Sequence, residues 1–269
     1  ISAGGDAALN AGTVFWARSV DAAGNADIKA GKRIVVARDL NVGGDLNAQA
    51  NEDIDANNIT SKGKATLTAQ TAIQTDGSIR SDAEAVLTAK DITIGGAFSA
   101  HSAQLTADEN ATLGGKTDVG ETLTANVGRD FVTNGAVTTG KDFVAHVGND
   151  LAVNDLVSTG GRASLTVGRN ATLGDALTTG GKFTANVAHD LTANDAVTTG
   201  ADFTAIVGNN AVTNGIVTTN GALKWSVGND LTANAAVLSH GGATLDAPTT
   251  TQKHSEKLLC DVCIQLTVL

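Results

Sequence analysis

Hydrophobic and polar positions recur with a period of twenty residues between Gly120 and Ser239. Counted from Gly120, the eighth position is valine in all six units: Val127, Val147, Val167, Val187, Val207 and Val227. Three further positions are apolar throughout. The fourth position holds Leu123, Phe143, Ala163, Phe183, Phe203 and Leu223, the twelfth Phe131, Leu151, Ala171, Leu191, Ala211 and Leu231, and the eighteenth Val137, Val157, Leu177, Val197, Val217 and Val237. We predict that these four columns form the core.

Within one unit the pattern predicts short strands joined by corners. Apolar and polar residues alternate in "FTANV" (Phe183 to Val187), as in a half-buried strand. A glycine at the ninth position, with Ala188 as the exception, and Asp or Asn at the eleventh are typical of a corner. A second run, "LTANDAVTT" from Leu191 to Thr199, leads to the next glycine. Such a unit cannot bury its own apolar face, but stacked on its neighbours it can.

The same pattern continues before Gly120 with looser spacing. The stretch "HSAQLTADENATLGG" from His101 matches "GRASLTVGRNATLGD" from Gly161 at a shift of sixty residues. The sequence therefore predicts an all-β, right-handed parallel β-helix of about twelve coils over residues 1–247, most regular over 120–239, each of about twenty residues. Residues 248–269 lose the period. We interpret them as a non-repeat tail or cap, a short helix or strand over the last coil, or as the unnatural end of a disrupted reading frame.

Composition supports this fold and argues against some classes of binding partner. The chain has 31 glycines, 3% aromatic residues and neither Met nor Tyr, so its 42% of hydrophobic residues consists mostly of small side chains that fill a thin interior. A net charge of −10 and a pI of about 4.8 argue against nucleic acid and anionic membranes as partners. No apolar stretch is long enough to span a bilayer. The chain begins at Ile1 inside a patterned segment, so we interpret it as a piece of a longer protein.

Two columns of polar residues are candidates for ion binding or for a ladder of hydrogen bonds. The eleventh position carries Asp130, Asp150, Asn170, Asp190, Asn210 and Asp230. Stacked carboxylates repel one another unless cations lie between them, which makes calcium conceivable, but turn propensity already explains these residues. The fifteenth position carries Asn134, Asn154, Asn194, Asn214 and Asn234, interrupted by Gly174. These asparagines either form a hydrogen-bonded amide ladder or merely tolerate a bend.

Other residues that could carry chemistry have no supporting pattern. The five histidines, which fall at different unit positions without a metal-binding spacing, are His101, His146, His189, His240 and His254. The motif Cys260-Asp261-Val262-Cys263 with His254 is at most half a metal site. Thr pairs such as Thr198-Thr199 point to opposite faces of a strand, so they form no flat Thr-x-Thr array. We predict no catalytic, cofactor-binding or metal-binding residues and no cofactor. Three glycosylation sequons begin at Asn58, Asn110 and Asn170, as expected by chance in an Asn/Thr-rich chain.

The segments "GGDLNAQANEDIDANNITSKGKATLTA" (Gly43 to Ala69) and "VGNDLTANAAVLSHGGATL" (Val227 to Leu245) resemble the haemagglutinin repeats of the filamentous haemagglutinin family. These large bacterial exoproteins of two-partner secretion include adhesins and contact-dependent growth inhibition toxins. The resemblance covers nearly the whole chain up to Ala247. It implies a non-enzymatic shaft of a secreted, surface-exposed protein.

The implied partners are an outer-membrane secretion partner and, through the full-length protein, a receptor or glycan on a host or neighbouring cell. Nucleic acid and membrane insertion are not expected. The alternative is a carbohydrate-active β-helix enzyme such as a polysaccharide lyase, which would require a long insertion and a carboxylate and basic cluster in a cleft. The sequence indicates neither.

Overall fold

The structure, a computed structural model of the 269-residue chain, describes residues 1–252, 259–260 and 264–267. Within those residues the regular elements are all β-strands, and the strands pair in parallel. The chain divides into two compact units. The first comprises Ile1–Arg129 with Thr133–Gly135, and the second comprises Asp130–Val132 with Ala136–Leu269. Each unit is a parallel β-helix built from three ladders of strands.

In the first unit, strands of successive coils pair with one another and so form three ladders. Its first ladder contains β2 (Ala7–Ala11), β5 (Ala26–Ala30), β7 (Leu46–Ala50), β9 (Ala65–Ala69) and β16 (Leu123–Val127). Its second ladder contains β3 (Val14–Ala17), β10 (Ala72–Thr75), β12 (Asp91–Ile94) and β14 (Ala111–Leu113). Its third ladder contains β1 (Ser2–Ala3), β4 (Val20–Ala22) and β15 (Thr117–Val119). Four long strands turn a corner and serve two ladders each: β6 (Arg33–Val42), β8 (Asp53–Ser61), β11 (Ile79–Ala89) and β13 (Phe98–Ala107). The strand β17 (Phe131–Thr133) contributes residues to both units.

The second unit repeats the arrangement with shorter strands. Its first ladder contains β19 (Phe143–Val147), β22 (Ala163–Val167), β25 (Phe183–Val187), β28 (Phe203–Val207), β31 (Leu223–Val227), β34 (Ala243–Asp246) and β37 (Ile264–Thr267). Its second ladder contains β20 (Leu151–Val153), β23 (Ala171–Leu173), β26 (Leu191–Ala193), β29 (Ala211–Thr213), β32 (Asp230–Ala233) and β35 (Thr249–Gln252). Its third ladder contains β18 (Val137–Thr139), β21 (Val157–Thr159), β24 (Leu177–Thr179), β27 (Val197–Thr199), β30 (Val217–Thr219), β33 (Val237–Ser239) and β36 (Leu259–Cys260).

The predicted architecture is confirmed: both units are all-β parallel solenoids, and their coils together number about twelve. In the second unit the register follows the sequence period, so that Val187 pairs with Val167 on one side and Val207 on the other. In the first unit the spacing between paired residues varies. Ala7 pairs with Ala26, nineteen residues on, whereas Ala85 pairs with Ala103, eighteen residues on. The looser sequence spacing before Gly120 therefore reflects real differences in coil length.

The four predicted core columns are confirmed as buried, since each of their residues is at most 4% exposed. Strand alternation explains this, because every second side chain of a strand points inward. Buried aromatic rings of the second unit also contact one another, with ring centroids 5.2 Å apart for Phe183 and Phe203 of the fourth column. The ring centroid of Phe203 lies 5.1 Å from that of Trp225, which is outside the four columns.

The last strands extend the ladders of the second unit beyond the periodic sequence. The strand β35 pairs with β32, β36 with β33 and β37 with β34. The boundary between a repeat region at 1–247 and a tail or cap at 248–269 remains a prediction. His254, Asp261 and Cys263, which were considered as parts of a half metal site, lie outside the described residues.

Candidate functional site

The corner acids of the second unit connect one coil to the next through hydrogen bonds. Asp150 Oδ1 accepts from the backbone N–H of Asn170 at 3.1 Å and from its side-chain amide at 2.9 Å. Asp190 Oδ1 accepts likewise from the backbone N–H of Asn210 at 3.0 Å. A corner residue lies outside the strand ladder, so its N–H needs another acceptor. The eleventh column supplies that acceptor from the preceding coil.

These bonds give oxygens of the eleventh column N–H partners on the next coil. Amides alternate with carboxylates from Asp150 to Asp230, and Asn170 Oδ1 accepts from the N–H of Asp190 at 3.4 Å. Arg169 Nη1 also lies 3.6 Å from Asp150 Oδ2, which offsets part of the repulsion between stacked acids. Over the described residues, no group of three or more His, Cys, Asp or Glu side chains is arranged to hold a metal ion.

The first unit has the same kind of hydrogen bond, from a backbone N–H to an Asp or Asn side chain of the preceding coil, at another corner. Asp6 Oδ1 accepts from the N–H of Asn25, Asn25 Oδ1 from the N–H of Asp45, and Asp45 Oδ1 from the N–H of Lys64, each at 2.8 Å. Four consecutive coils are thus joined by three hydrogen bonds from backbone N–H groups to side-chain oxygens. The Asp and Asn residues at the corners are therefore part of the framework in both units.

The asparagines of the fifteenth position form an amide ladder. Asn214 Nδ2 donates to Asn194 Oδ1 at 3.1 Å, and Asn234 Nδ2 donates to Asn214 Oδ1 at 2.7 Å. Of the two alternatives, a ladder or a tolerated bend, the ladder is present across these three coils. Asn194 and Asn214 are exposed, so the ladder lies on the surface of the second unit.

The threonine pairs point to opposite faces, as predicted. Thr199 is fully buried, whereas its neighbour Thr198 is exposed. The hydroxyl of Thr199 donates to the carbonyl of Ala201 at 2.8 Å, and that of Thr179 donates to the carbonyl of Gly181 at 2.8 Å. The predicted core omitted this buried hydroxyl column. The sequence did contain a signal for this column. The second threonine lies two residues after the buried eighteenth position, so it faces the same side of the strand.

The described histidines do not form a site. His146 and His189 are exposed, His101 Nε2 lies 3.8 Å from Glu121 Oε1, and the ring of His240 lies 3.2 Å from the carbonyl oxygen of Thr219. These surroundings agree with the interpretation of solvent-facing or corner histidines.

The sequon asparagines take part in contacts between coils. Asn58 Nδ2 donates to Asp39 Oδ1 at 3.0 Å, and Asn110 Nδ2 donates to Asp91 Oδ1 at 2.9 Å. Asn170 bonds to Asp150 as described above. A glycan on any of these amide nitrogens would replace one of its N–H donors and place a bulky group in the contact between coils. The structure therefore gives these asparagines a framework role.

The surface of the first unit carries a cluster that the sequence analysis missed. Arg33 Nε lies 3.1 Å from Asp53 Oδ2, and the Arg33 guanidinium also bonds to Asp55. The hydrogen bond that the Arg33 guanidinium donates to the Asp55 carboxylate raises the pKa of Arg33 above its usual range.

The cluster adjoins a shallow groove of about 240 Å³. The groove is lined by Val35, Val36, Ala37, Asp55, Ala56, Asn57, Gln74 and Asp76. It lies at a bulge, where Val36 pairs with Ala56 and Asp39 with Asn58, so that two residues of β6 oppose one residue of β8. The sequence signal for the bulge was weak, because it consists of one extra residue in a stretch whose coil length already varies.

The described part of the chain contains no helix that is long and apolar enough to cross a membrane. Comparison with protein-family models, with curated protein sequences and with solved structures finds no match for this chain.

Proposed function

We propose that this chain is the repeat shaft of a secreted, surface-exposed bacterial adhesin or haemagglutinin-like exoprotein, with a structural and non-enzymatic role. The observation that carries the proposal is the in-register stacking of the second unit. There each strand pairs with the equivalent strand of the next coil, and each inward column repeats a small set of apolar residues.

The connections between strands support a structural role. From β18 to β31 every connection has three residues, as in 140–142 and 148–150. Enzymes on similar scaffolds build their clefts from long loops. Short connections instead produce uniform faces, which suit a chain whose purpose is to space other domains.

The cellular setting follows from the resemblance to haemagglutinin repeats. An exoprotein of that kind would require an outer-membrane secretion partner and would meet a receptor or glycan on another cell. The absence of cysteine before Cys260 suits passage through an oxidising compartment.

Removal of one whole coil tests the structural role. Deletion of residues 180–199 joins Thr179 to Gly200 in phase, and Phe203 then takes the place of Phe183 above Ala163. Because coils contact only their neighbours, we expect the shortened protein to keep its β-sheet circular dichroism and a cooperative melt. Deletion of residues 180–189 is the matched control. It shifts the register by half a coil, so the coils after the junction cannot pair in register with those before it, and part of the β-sheet signal should be lost.

The functional measurement uses the full-length exoprotein. Adhesion or delivery should fall gradually as in-phase coils are removed, whichever coils they are. Abrupt loss on removal of one particular coil, with folding intact, would contradict the spacer role. Release of reducing ends from a panel of polysaccharides would contradict the non-enzymatic role.

A further inference from the structure

One side of the second unit carries no positive charge. It is formed by positions twelve to twenty of the units between Leu151 and Ser239, where the charged residues are Asp155, Asp175 and Asp195. Each of these carboxylates accepts a hydrogen bond from the N–H of the residue that follows it. None of them forms an ion pair with another described residue. Three carboxylates on consecutive coils thus have no cation from their own chain.

A notch lies beside these carboxylates, in the outward column at the seventeenth position. Leu156 is 37% exposed and Ile216 is 47% exposed, and the two residues between them in the column are Ala176 and Ala196. The strands that follow these four residues pair in register on consecutive coils. At about 4.8 Å per coil, the two large side chains stand roughly 14 Å apart. The alanines form the floor of the notch, which leaves room for one aliphatic side chain from another molecule.

The first ladder of the same unit carries an aliphatic side chain of that kind. Ile206 is 49% exposed on β28 and pairs with Asn186 and Ser226. Lys182 lies on the coil before Ile206 and Lys224 lies on the coil after it, and both lysines are exposed. The ammonium group of neither lysine bonds to another described residue. Ile206 therefore has one free ammonium group about one coil away on each side.

The notch and the Ile206 surface match in spacing. Ala176, on the floor of the notch, has Asp155 on the coil before it and Asp195 on the coil after it. Ile206 has its two lysines in the same arrangement. Both sets repeat at the strand spacing, because both belong to stacked parallel coils. When Ile206 of one molecule lies on Ala176 of another with the coils aligned, each lysine is level with one carboxylate.

We propose that these two surfaces bind each other between two copies of this chain, with Ile206 of one copy in the notch of the next. Burial of the isoleucine side chain stabilises the contact, and the two pairs of lysine and aspartate select its register. The two surfaces lie on different ladders, so a pair of copies keeps one surface of each kind free. The contact is therefore heterologous, and further copies can add side by side.

This inference goes beyond the shaft role and does not depend on it, since a shaft of single molecules would still be a shaft. We expect a weak contact, because exposed ion pairs contribute little and a net charge of −10 opposes the approach of two copies. A dissociation constant of about 10 µM to 1 mM is the expected range.

Sedimentation velocity of the full chain provides the first measurement. The protein is studied at concentrations up to about 1 mM, in a reducing buffer that prevents cross-links through Cys260 and Cys263. The weight-average mass should rise with concentration.

Two single variants locate the contact. Ile206→Ser removes the inserted side chain, and Ala176→Leu fills the notch with the residue that the column already carries at Leu156. Each should weaken association by about tenfold or more. Val14→Ser is the matched control, because Val14 is 47% exposed on β3 of the first unit. It should associate as the parent does.

Reversal of charge tests the register. The double variant Lys182→Glu with Lys224→Glu opposes carboxylates to carboxylates, and the double variant Asp155→Lys with Asp195→Lys opposes ammonium groups to ammonium groups. Each should stay monomeric where the parent associates. An equimolar mixture of the two should associate, because opposite charges then meet in both kinds of contact. Both variants keep a net negative charge, so a general attraction between them cannot produce this result.

Circular dichroism and thermal melting first establish that each variant is folded. The proposal is overturned if the parent remains a monomer up to about 1 mM, or if folded Ile206→Ser or Ala176→Leu associates as the parent does. Failure of the mixed charge variants to associate would also overturn it. If the aspartate variant does not fold, the two single variants still decide. The coil deletions are judged by folding, so the two proposals fail separately.

Discussion

Replacement of Val187 by Asp places a carboxyl group in the interior of the second unit. Val187 is 1% exposed and lies between Val167 and Val207 in the ladder. Loss of the buried valine side chain costs about 2 kcal/mol. An aspartate with an unfolded pKa of about 3.9 would have to be protonated at pH 7 to stay buried, which costs about 4 kcal/mol at about 1.36 kcal/mol per unit. Burial of the neutral acid without a partner adds about 1–3 kcal/mol.

The sum, about 7–9 kcal/mol at pH 7, is comparable to the whole stability of an ordinary domain. The pH dependence provides an independent check. Burial raises the pKa of the introduced acid in the folded state, so the folded protein binds more protons than the unfolded chain above about pH 4. The added destabilisation should therefore grow as pH rises from about 4 to 7 and should be smaller by about 4 kcal/mol at the acid end.

The measurement is urea denaturation followed by far-UV circular dichroism at pH 4 and pH 7. Asn186→Asp is the matched control, because Asn186 is the exposed neighbour on the same strand. It should change stability by no more than about 0.5 kcal/mol. If Val187→Asp were as stable as Asn186→Asp at pH 7, the inward assignment of the valine column would be wrong.

Two further predictions concern the contacts between coils. Asp150→Ala removes the acceptor for the backbone N–H of Asn170 and should lower the free energy of unfolding by about 1–3 kcal/mol. Asp150→Asn keeps an acceptor oxygen and should cost less, so equal losses of the two variants in urea denaturation would count against the corner bond. Gly242 has a φ of 96°, a backbone conformation that residues with a Cβ atom rarely adopt, so Gly242→Ala should cost about 1–2 kcal/mol in the same assay. An unchanged denaturation midpoint would show that this position does not require a positive φ.

The core of the second unit could be predicted from the sequence because the period is constant. Each inward column repeats a residue type at a fixed spacing, and the register of the structure follows that spacing, as with Phe183 and Phe203. The buried hydroxyls were harder to predict. A threonine such as Thr199 is polar by composition, and its burial depends on a carbonyl at the next corner that only the fold brings within 2.8 Å.

The groove could not be predicted, because it arises from an irregularity. A bulge between Val36 and Asp39 changes the local register without a glycine or proline to mark it. The ion pairs of Arg33 depend on the residue pairing across β6 and β8, which the variable coil length of the first unit conceals. Exposure of Trp16 likewise depends on its place in the alternation of a four-residue strand.

The contrast between the two units shows where a solenoid can carry side chains that lie outside its framework. In a regular stack each residue is constrained by equivalent residues above and below, and the corner bonds of Asp150 and Asn170 show that even polar positions serve the framework. Free side chains arise most readily where coil length changes, since equivalent residues then cease to face one another. The side chains of Asn57 and Asp76, which lie beside the bulge and have no hydrogen-bond partner among the described residues, are placed as this reasoning requires.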